Sequence, residues 1–430
     1  MARTSPASSR FLPIGTVAFG ILAGNVLSYG FSFVLSHQLG PVGYGQVGTL
    51  LSLFLVAAIP ATALQAVTAR RIAAACAADG GLPGERVRAA AGPLIRWSLL
   101  IGASETVALL LLCPALSAAL PAVSAAEVAW TACSVGVYTL ISGYLGLAQG
   151  ASRFRAFTVL FILANGVKLV AGAAVGALLH SPTPVMGAVA LSWVATCVVG
   201  HRALRDLVTV RTLIRGDGFL PELGRACWGM GAALVLSLLD GLLCARYFSG
   251  ATLGGYQAGA LFTRAGYFGP QFIGILVYPR LAVPATRRAA LRAGVAASVA
   301  IGVVATGLVA LSAGPLVSIA FGDRYTAGSS FSLAATAWIF ALSGAVQALV
   351  QLAQLDAVAR GSAAVGRLVL GGIGVELAAI VTFAHRDPVL LITTAAAVGT
   401  VTAAGGLVLA SRARQSPAPT PSADYAPATT

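Results

Sequence analysis

The apolar runs of this chain are long enough to cross a membrane, and its basic residues crowd into every second gap between them. A spanning helix needs about 20 mostly apolar residues to cross ~30 Å of hydrocarbon. Twelve stretches meet that need: 11–37, 44–68, 94–113, 125–148, 156–179, 184–201, 226–248, 255–279, 294–320, 330–355, 363–384 and 388–411. The runs are too long and too continuously apolar for the alternation of barrel strands, so the expected fold is an all-α polytopic membrane protein.

Lys and Arg collect in cytoplasmic connections, which converts their positions into an orientation. With the N-terminus inside, the inside segments hold Arg3 and Arg10, then Arg70, Arg71, Arg86, Arg88 and Arg96. Next come Arg153 and Arg155, and then Arg202, Arg205, Arg211, Arg215 and Arg225. Arg280, Arg287, Arg288 and Arg292, Arg360 and Arg367, and Arg412 and Arg414 complete the set, 22 of the 27 basic residues. Arg246, Arg324 and Arg386 fall at or near the outside, and Lys168 and Arg264 within spans. An odd number of spans would strand Arg412 and Arg414 on the wrong side. The expectation is a multi-pass protein of the cell membrane with both termini cytoplasmic.

The net charge of +14 lines one membrane face, where anionic lipid headgroups are the natural partner; that distribution argues against nucleic acid. The six cysteines are scattered and form no CxxC or Cys/His cluster of metal-ligand spacing. No Gly-rich phosphate loop is present, so neither cofactor nor metal is expected. The first apolar run is too long for a signal-peptide core and reads as a retained span.

Five segments organise the chain: a cytoplasmic N-terminal piece (1–10), a first lobe of six spans (11–208), a basic linker (209–225), a second lobe of six spans (226–411) and a Pro/Ala/Ser/Thr-rich tail (412–430) read as disordered. The stretch 201–225 interleaves arginines with Leu204, Leu207, Val208, Leu213 and Ile214, an amphipathic pattern. The halves repeat weakly. Gly43-Tyr44-Gly45 opens the second span and Gly255-Tyr256-Gln257-Ala258-Gly259 the eighth; Pro60 matches Pro270, Arg70 matches Arg280, and Ala148-Gln149 matches Ala353-Gln354. Two six-span repeats insert the same way, so a pseudo-two-fold axis along the membrane normal should relate them, with a cavity between.

Ionisable residues inside spans cost at least ~2.5 kcal/mol each at the membrane centre and should face a cavity or a partner. Glu105, Lys168, Asp240, Arg264 and Glu376 lie well inside. At 1.5 Å per residue, Asp240, Glu105 and Glu376 fall roughly 12 Å from the outer ends of their spans, Arg264 roughly 14 Å and Lys168 roughly 16 Å. Spans seven and eight share a short outer turn, which makes an Asp240–Arg264 pair an expectation. Such residues either fix helix register as buried pairs or line an aqueous cavity. In the cavity reading, Arg264 and Lys168 bind an anionic group, for which a guanidinium fork suits phosphate. Glu105 and Glu376 then take up a coupling proton, and Asp240 serves as gate or pair residue. Asn25, Gln65, Asn165 and Gln271 are polar span residues whose simplest role is interhelical hydrogen bonding.

Several stretches resemble the polysaccharide (Wzx-like) flippases of the multidrug/oligosaccharidyl-lipid/polysaccharide (MOP) exporter superfamily. Gly24-Asn25-Val26 through Leu39-Gly40-Pro41-Val42-Gly43-Tyr44-Gly45-Gln46 is similar to that family's opening. Gly143-Tyr144-Leu145-Gly146-Leu147-Ala148-Gln149-Gly150 with Arg153-Phe154 resembles its fourth-to-fifth span junction. Asp240-Gly241-Leu242-Leu243-Cys244-Ala245-Arg246-Tyr247-Phe248, then Gly255-Tyr256, Arg264 and Pro279-Arg280, resembles its seventh and eighth spans, and Phe321-Gly322-Asp323-Arg324-Tyr325 its turn between spans nine and ten. The resemblance covers most of 14–360 and fades in the last two spans. It implies two six-helix lobes alternating between inward- and outward-open states. The implied cargo is an oligosaccharide on a polyprenyl (pyro)phosphate carrier, moved to the outer leaflet for surface polysaccharide synthesis and handed to glycan polymerase machinery. Carried over by position, Asp240, Arg246 and Arg264 fall where that family keeps intramembrane charges, which adds Arg246 to the substrate-binding candidates. The low aromatic content (7%) and short outer loops depart from the family pattern and leave the sugar contacts unassigned.

Three other classes stay open. A drug or cation antiporter of the same superfamily would favour a cavity dominated by carboxylates such as Glu105 and Glu376. A membrane-embedded glycan polymerase or ligase would need catalytic acids or bases in a sizeable outer loop, and none is long enough, so the chain is not expected to be an enzyme. A membrane scaffold would tolerate loss of its intramembrane charges.

Overall fold

The computed structural model describes residues 8–80, 83–208, 218–269, 273, 281, 283–325, 331–360 and 362–412. Among them every regular element is helical. The first six helices are α1 (Ser8–Ala57), α2 (Ile59–Ala78), α3 (Glu85–Ala119), α4 (Ala125–Gly150), α5 (Phe154–Leu179) and α6 (Pro182–Leu204). The second six are α7 (Phe219–Tyr247), α8 (Gly250–Phe268), α9 (Pro284–Phe321), α10 (Leu333–Ala359), α11 (Ala364–Thr382) and α12 (Pro388–Arg412). Nine of the described helices are long and apolar enough to cross a membrane, and α7, bent by 50° between Phe219–Gly229 and Gly231–Tyr247, makes ten. Twelve crossings are reached when α8 is included and α1 is divided.

That division is physical. The apolar part of α1 runs 43 residues, about twice one crossing, and Gly40 interrupts it with φ 63° and ψ −177°, a left-handed conformation that glycine adopts without a Cβ penalty. The first arm runs alongside α5: Gly20 faces Thr158, Gly24 faces Phe161, and Phe31 faces Gly172. The second arm returns alongside α8, with Gly45 facing Gly254 and Gly48 facing Gln257. This arm stops at Ala57, and α2 restarts with Pro60 in its first turn, where the missing N–H costs nothing. The expected span 44–68 is therefore a kinked crossing made from two helices.

Two lobes result. In the first, α4 packs on α2, α3 and α6, and α5 on α1 and α6; in the second, α10 packs on α8, α9 and α12, and α11 on α7 and α12. The most apolar windows of α4 and α10 are 72% and 61% buried, against 11% and 17% for α3 and α9. Each lobe is thus built around its fourth span, as two like repeats require. Outward-facing Leu111, Leu178, Leu311 and Ile319 are 77–90% exposed, an apolar surface that suits hydrocarbon rather than water.

The halves touch beside the matched Gly-Tyr motifs: Gly45 lies against Gly254, one residue before the second motif, and Gly48 against Gln257 within it. Of the other matches, Pro270, Arg280 and the polar Gln271 lie outside the described residues, as do the tail from 413 and linker residues 209–217. The rest of the expected linker, from Phe219, is already helix and begins α7.

The arginine-rich helix ends carry ion pairs as well as free charge. Glu222 of α7 pairs with Arg70 and Arg71 of α2, Asp206 with Arg153, and buried Asp356 with Arg287 at 2.7 Å and Arg360 at 3.0 Å. Arg287 also donates to the Ala410 carbonyl at 2.6 Å, tying α9, α10 and α12 together. Lipid headgroups are thus not the only counter-charge to the basic face.

Candidate functional site

The five intramembrane charges do not gather at one place. They divide between an interlobe seam, the interior of each lobe, and a separate site on α3.

Arg264 lies at the seam. Its guanidinium, 6% exposed, leaves α8 and crosses to the other lobe, where it donates to Ser52 Oγ at 2.5 Å and to the Gly48 carbonyl at 3.4 Å, both on the second arm of α1. Its Nε has no partner. Asp240 is not its ion-pair partner, contrary to the sequence expectation. Asp240 instead accepts from the Tyr256 hydroxyl at 2.7 Å. The reason is register. The expected eighth span began at 255, whereas α8 begins at Gly250. That places Arg264 about 14 residues, or ~21 Å, below the turn, two helical turns deeper than Tyr256 and Asp240.

Lys168 sits inside the first lobe at 7% exposure. It donates to Ser28 Oγ at 2.9 Å and lies 5.1 Å from the centre of the Phe31 ring, a cation–π contact. The first arm of α1 supplies both partners. The next residue, Tyr29, is within electrostatic reach of Arg264, so this arm runs between the two cations; among the described residues no carboxylate forms a salt bridge with either, and Asp240 lies within electrostatic reach of Arg264.

The carboxylates lie elsewhere. Glu376 on α11 is fully buried, neither of its oxygens has a hydrogen-bond partner, and it is within electrostatic reach of Asp240. Glu105 on α3 accepts from Thr139 Oγ1 at 2.5 Å, and its other oxygen is unpartnered. It lies near Cys227 of α7 rather than near the other four. Arg246 stands exposed in the last turn of α7. Among the described residues no group of three or more His, Cys, Asp and Glu side chains has the geometry to hold a metal.

Several participants have no signature in the sequence. Ser52, Thr49 and Gln257 complete the seam: Gln257 Nε2 donates to the Gly241 carbonyl at 2.9 Å and to Thr49 Oγ1 at 3.3 Å. At the arginine-poor end an aromatic cluster closes over it. Phe33 and Tyr44 of α1 meet Phe321 at 5.7 and 6.3 Å between ring centres, and Tyr325 and Phe262 join at 5.6 and 6.0 Å. The lobes are therefore shut at this end. At the arginine-rich end the contact runs through the first segment of α7, whose Phe219 stacks on Trp97 at 5.5 Å and receives Arg71 over its ring at 5.2 Å.

No family model and no curated protein matches the chain. Solved structures do. An inward-facing conformation of a multidrug resistance MATE family transporter of the MOP superfamily superposes with a TM-score of 0.74 at 13% identity, covering 90% of this chain and 94% of that one. An outward-facing conformation of such a transporter gives 0.65 at 14%, covering 93% and 94%. A MOP superfamily transporter from Pyrococcus furiosus, described by a reversed polarity of its binding pocket that suggests a different function, gives 0.64 at 14%, again covering 93% and 94%. What the chain shares with these proteins is their two-lobed, polytopic helical fold.

Proposed function

We propose that the protein is an alternating-access flippase that carries a polyprenyl (pyro)phosphate-linked oligosaccharide from the cytoplasmic to the outer leaflet for surface polysaccharide synthesis. The observation that carries this reading is the pair of buried cations, Arg264 and Lys168, neither of which is hydrogen-bonded to a carboxylate among the described residues, Asp240 lying only within electrostatic reach of Arg264. A buried cation without a directly bonded counter-charge is costly, and an anionic cargo group supplies one. Arginine accepts a phosphate through two parallel hydrogen bonds. The arginine-rich end is taken as cytoplasmic, with anionic lipids around it. The closed arginine-poor end is then the outer gate, in keeping with the higher similarity to the inward-facing neighbour than to the outward-facing one. Exposed Arg246 serves the outer mouth rather than the cavity. The protein performs no covalent chemistry, needs no cofactor, and delivers its product to polymerase machinery on the far side.

A second reading is favoured by a different observation. The interior of the second lobe is rich in unpartnered acceptors: both oxygens of Glu376 and the side-chain oxygens of Gln347 and Gln354. Such oxygens suit a proton or small cation. Within the flippase reading, Asp240 and Glu376 couple transport to an ion gradient, and Glu105 is a separate protonation site in the first lobe. In a drug or cation antiporter, which two of the structural neighbours suggest by their description as multidrug resistance transporters, the same carboxylates dominate.

Mass spectrometry of polyprenyl-linked glycans in depleted cells separates the readings. Accumulation of one lipid-linked oligosaccharide, relieved by wild type and not by an inserted Arg264→Ala protein, is expected. Intact glycan export with Arg264→Ala would end the anionic-cargo reading.

A further inference from the structure

We propose that Ser52 and Gly48 hold Arg264 as an exchangeable latch, and that an anionic group of the cargo competes with them for the guanidinium, so that binding itself unlocks the outer gate. The inference deepens the anionic-cargo reading and rests on it.

The seam is a stripe of matched helix faces. Along the second arm of α1, Pro41, Gly45, Gly48 and Ser52 recur at helical spacing, and α8 answers with Gly254, Gln257 and Arg264. A Cβ on Gly254 would lie 2.0 Å from the Pro41 carbonyl oxygen, and one on Gly48 would lie 2.6 Å from Gln257 Cβ. The backbones are therefore as close as glycine allows. At the deep end of this stripe, the Arg264 guanidinium is the side chain that reaches from one lobe into the other's hydrogen-bonding groups.

The bonds that hold it are few for a buried cation. One short bond goes to a neutral hydroxyl, one long bond goes to a carbonyl, and Nε is left over. Burial without full pairing is unfavourable. A phosphate oxygen pair offers a bidentate, charge-assisted alternative of about twice the strength of a neutral hydrogen bond. When the guanidinium turns to such an anion, Ser52 and Gly48 lose it. The remaining polar tie across the stripe is the Gln257–Thr49 bond at 3.3 Å, a weak one by length. Ser52 is thus a positioning residue: it aims Arg264 at the seam until cargo arrives.

The test uses the full chain in lipid nanodiscs, with its six cysteines replaced and spin labels placed at Val42 and Ala251, exposed positions on the facing ends of α1's second arm and α8. Electron–electron resonance reads the outer separation of the lobes. Ser52→Ala should raise the open-to-closed ratio about tenfold, the lower bound for losing a hydrogen bond to a charged group, whereas Ser52→Thr, which keeps the hydroxyl, should not. Farnesyl diphosphate, as a short prenyl pyrophosphate probe, should open the wild type and leave Arg264→Ala unmoved. Unchanged distances in Ser52→Ala overturn the latch. A response to Ser52→Ala with none to farnesyl diphosphate overturns the exchange of partners. A working latch in a protein whose depletion accumulates no lipid-linked glycan overturns the flippase reading instead.

Discussion

The lobes touch at both ends of the molecule, and the two contacts are built from opposite materials. At the arginine-poor end, glycines, small hydroxyls, aromatic rings and one arginine without a carboxylate make the seam between α1 and α8. At the arginine-rich end, Glu222 is gripped by two arginines, Phe219 lies between Trp97 and Arg71, and α7 then bends by 50°. The first contact is close and buried, but among the described residues no ion pair secures it, so separation breaks few strong bonds. The second is partly exposed, and its long side chains can follow a moving partner. On the proposed alternating-access reading, a gate that opens and a foot that stays planted should differ in this way, with the bend in α7 taking up the rotation between them.

The comparison can be broken most severely at Gly254. Gly254→Val places atoms where the Pro41 carbonyl stands, so the seam cannot close; lobe separation by spin labels should shift almost wholly to the open distance, and transport should be lost with the protein still inserted. Glu222→Ala should do much less. Arg70 is 71% exposed and Arg71 28%, so the pair is worth about 1 kcal/mol or less. A small fall in thermal stability with transport largely kept is the expected outcome, and loss of transport would show that the foot is itself a gate. Smallest of all is Arg153→Ala at the surface. Its hydrogen bonds hold the Asp206 carboxyl below the usual carboxylate range, so the pairing is present above that range and vanishes as pH falls through the lowered value. Thermal melts of variant and wild type should differ slightly at neutral pH and converge in acid.

The sequence displays the spans because a bilayer imposes length and apolarity on each helix independently. It also points to where the two halves touch: Gly45 of the first Gly-Tyr motif lies against Gly254, one residue before the second. It misplaces Arg264 because depth was counted from the expected start of a span at 255, and the five residues 250–254 that belong to α8 move everything behind them by more than a helical turn. It gives no sign of Ser52 as a partner, because that bond joins residues 212 apart and depends on how two lobes dock. Nor does it reveal that Glu222 reaches back to α2, since the stretch taken for a linker is already helix there.

The carbonyl of Pro41 facing Gly254 has a consequence for how such proteins diverge. Lipid-facing positions accept almost any apolar residue, and cavity positions can drift with the cargo, but the stripe where the lobes meet leaves no room for a single added carbon. Saturation mutagenesis read out by growth should therefore trace a narrow line of intolerance down the molecule between two permissive halves. The same line is where homologues too distant to align elsewhere should be brought into register.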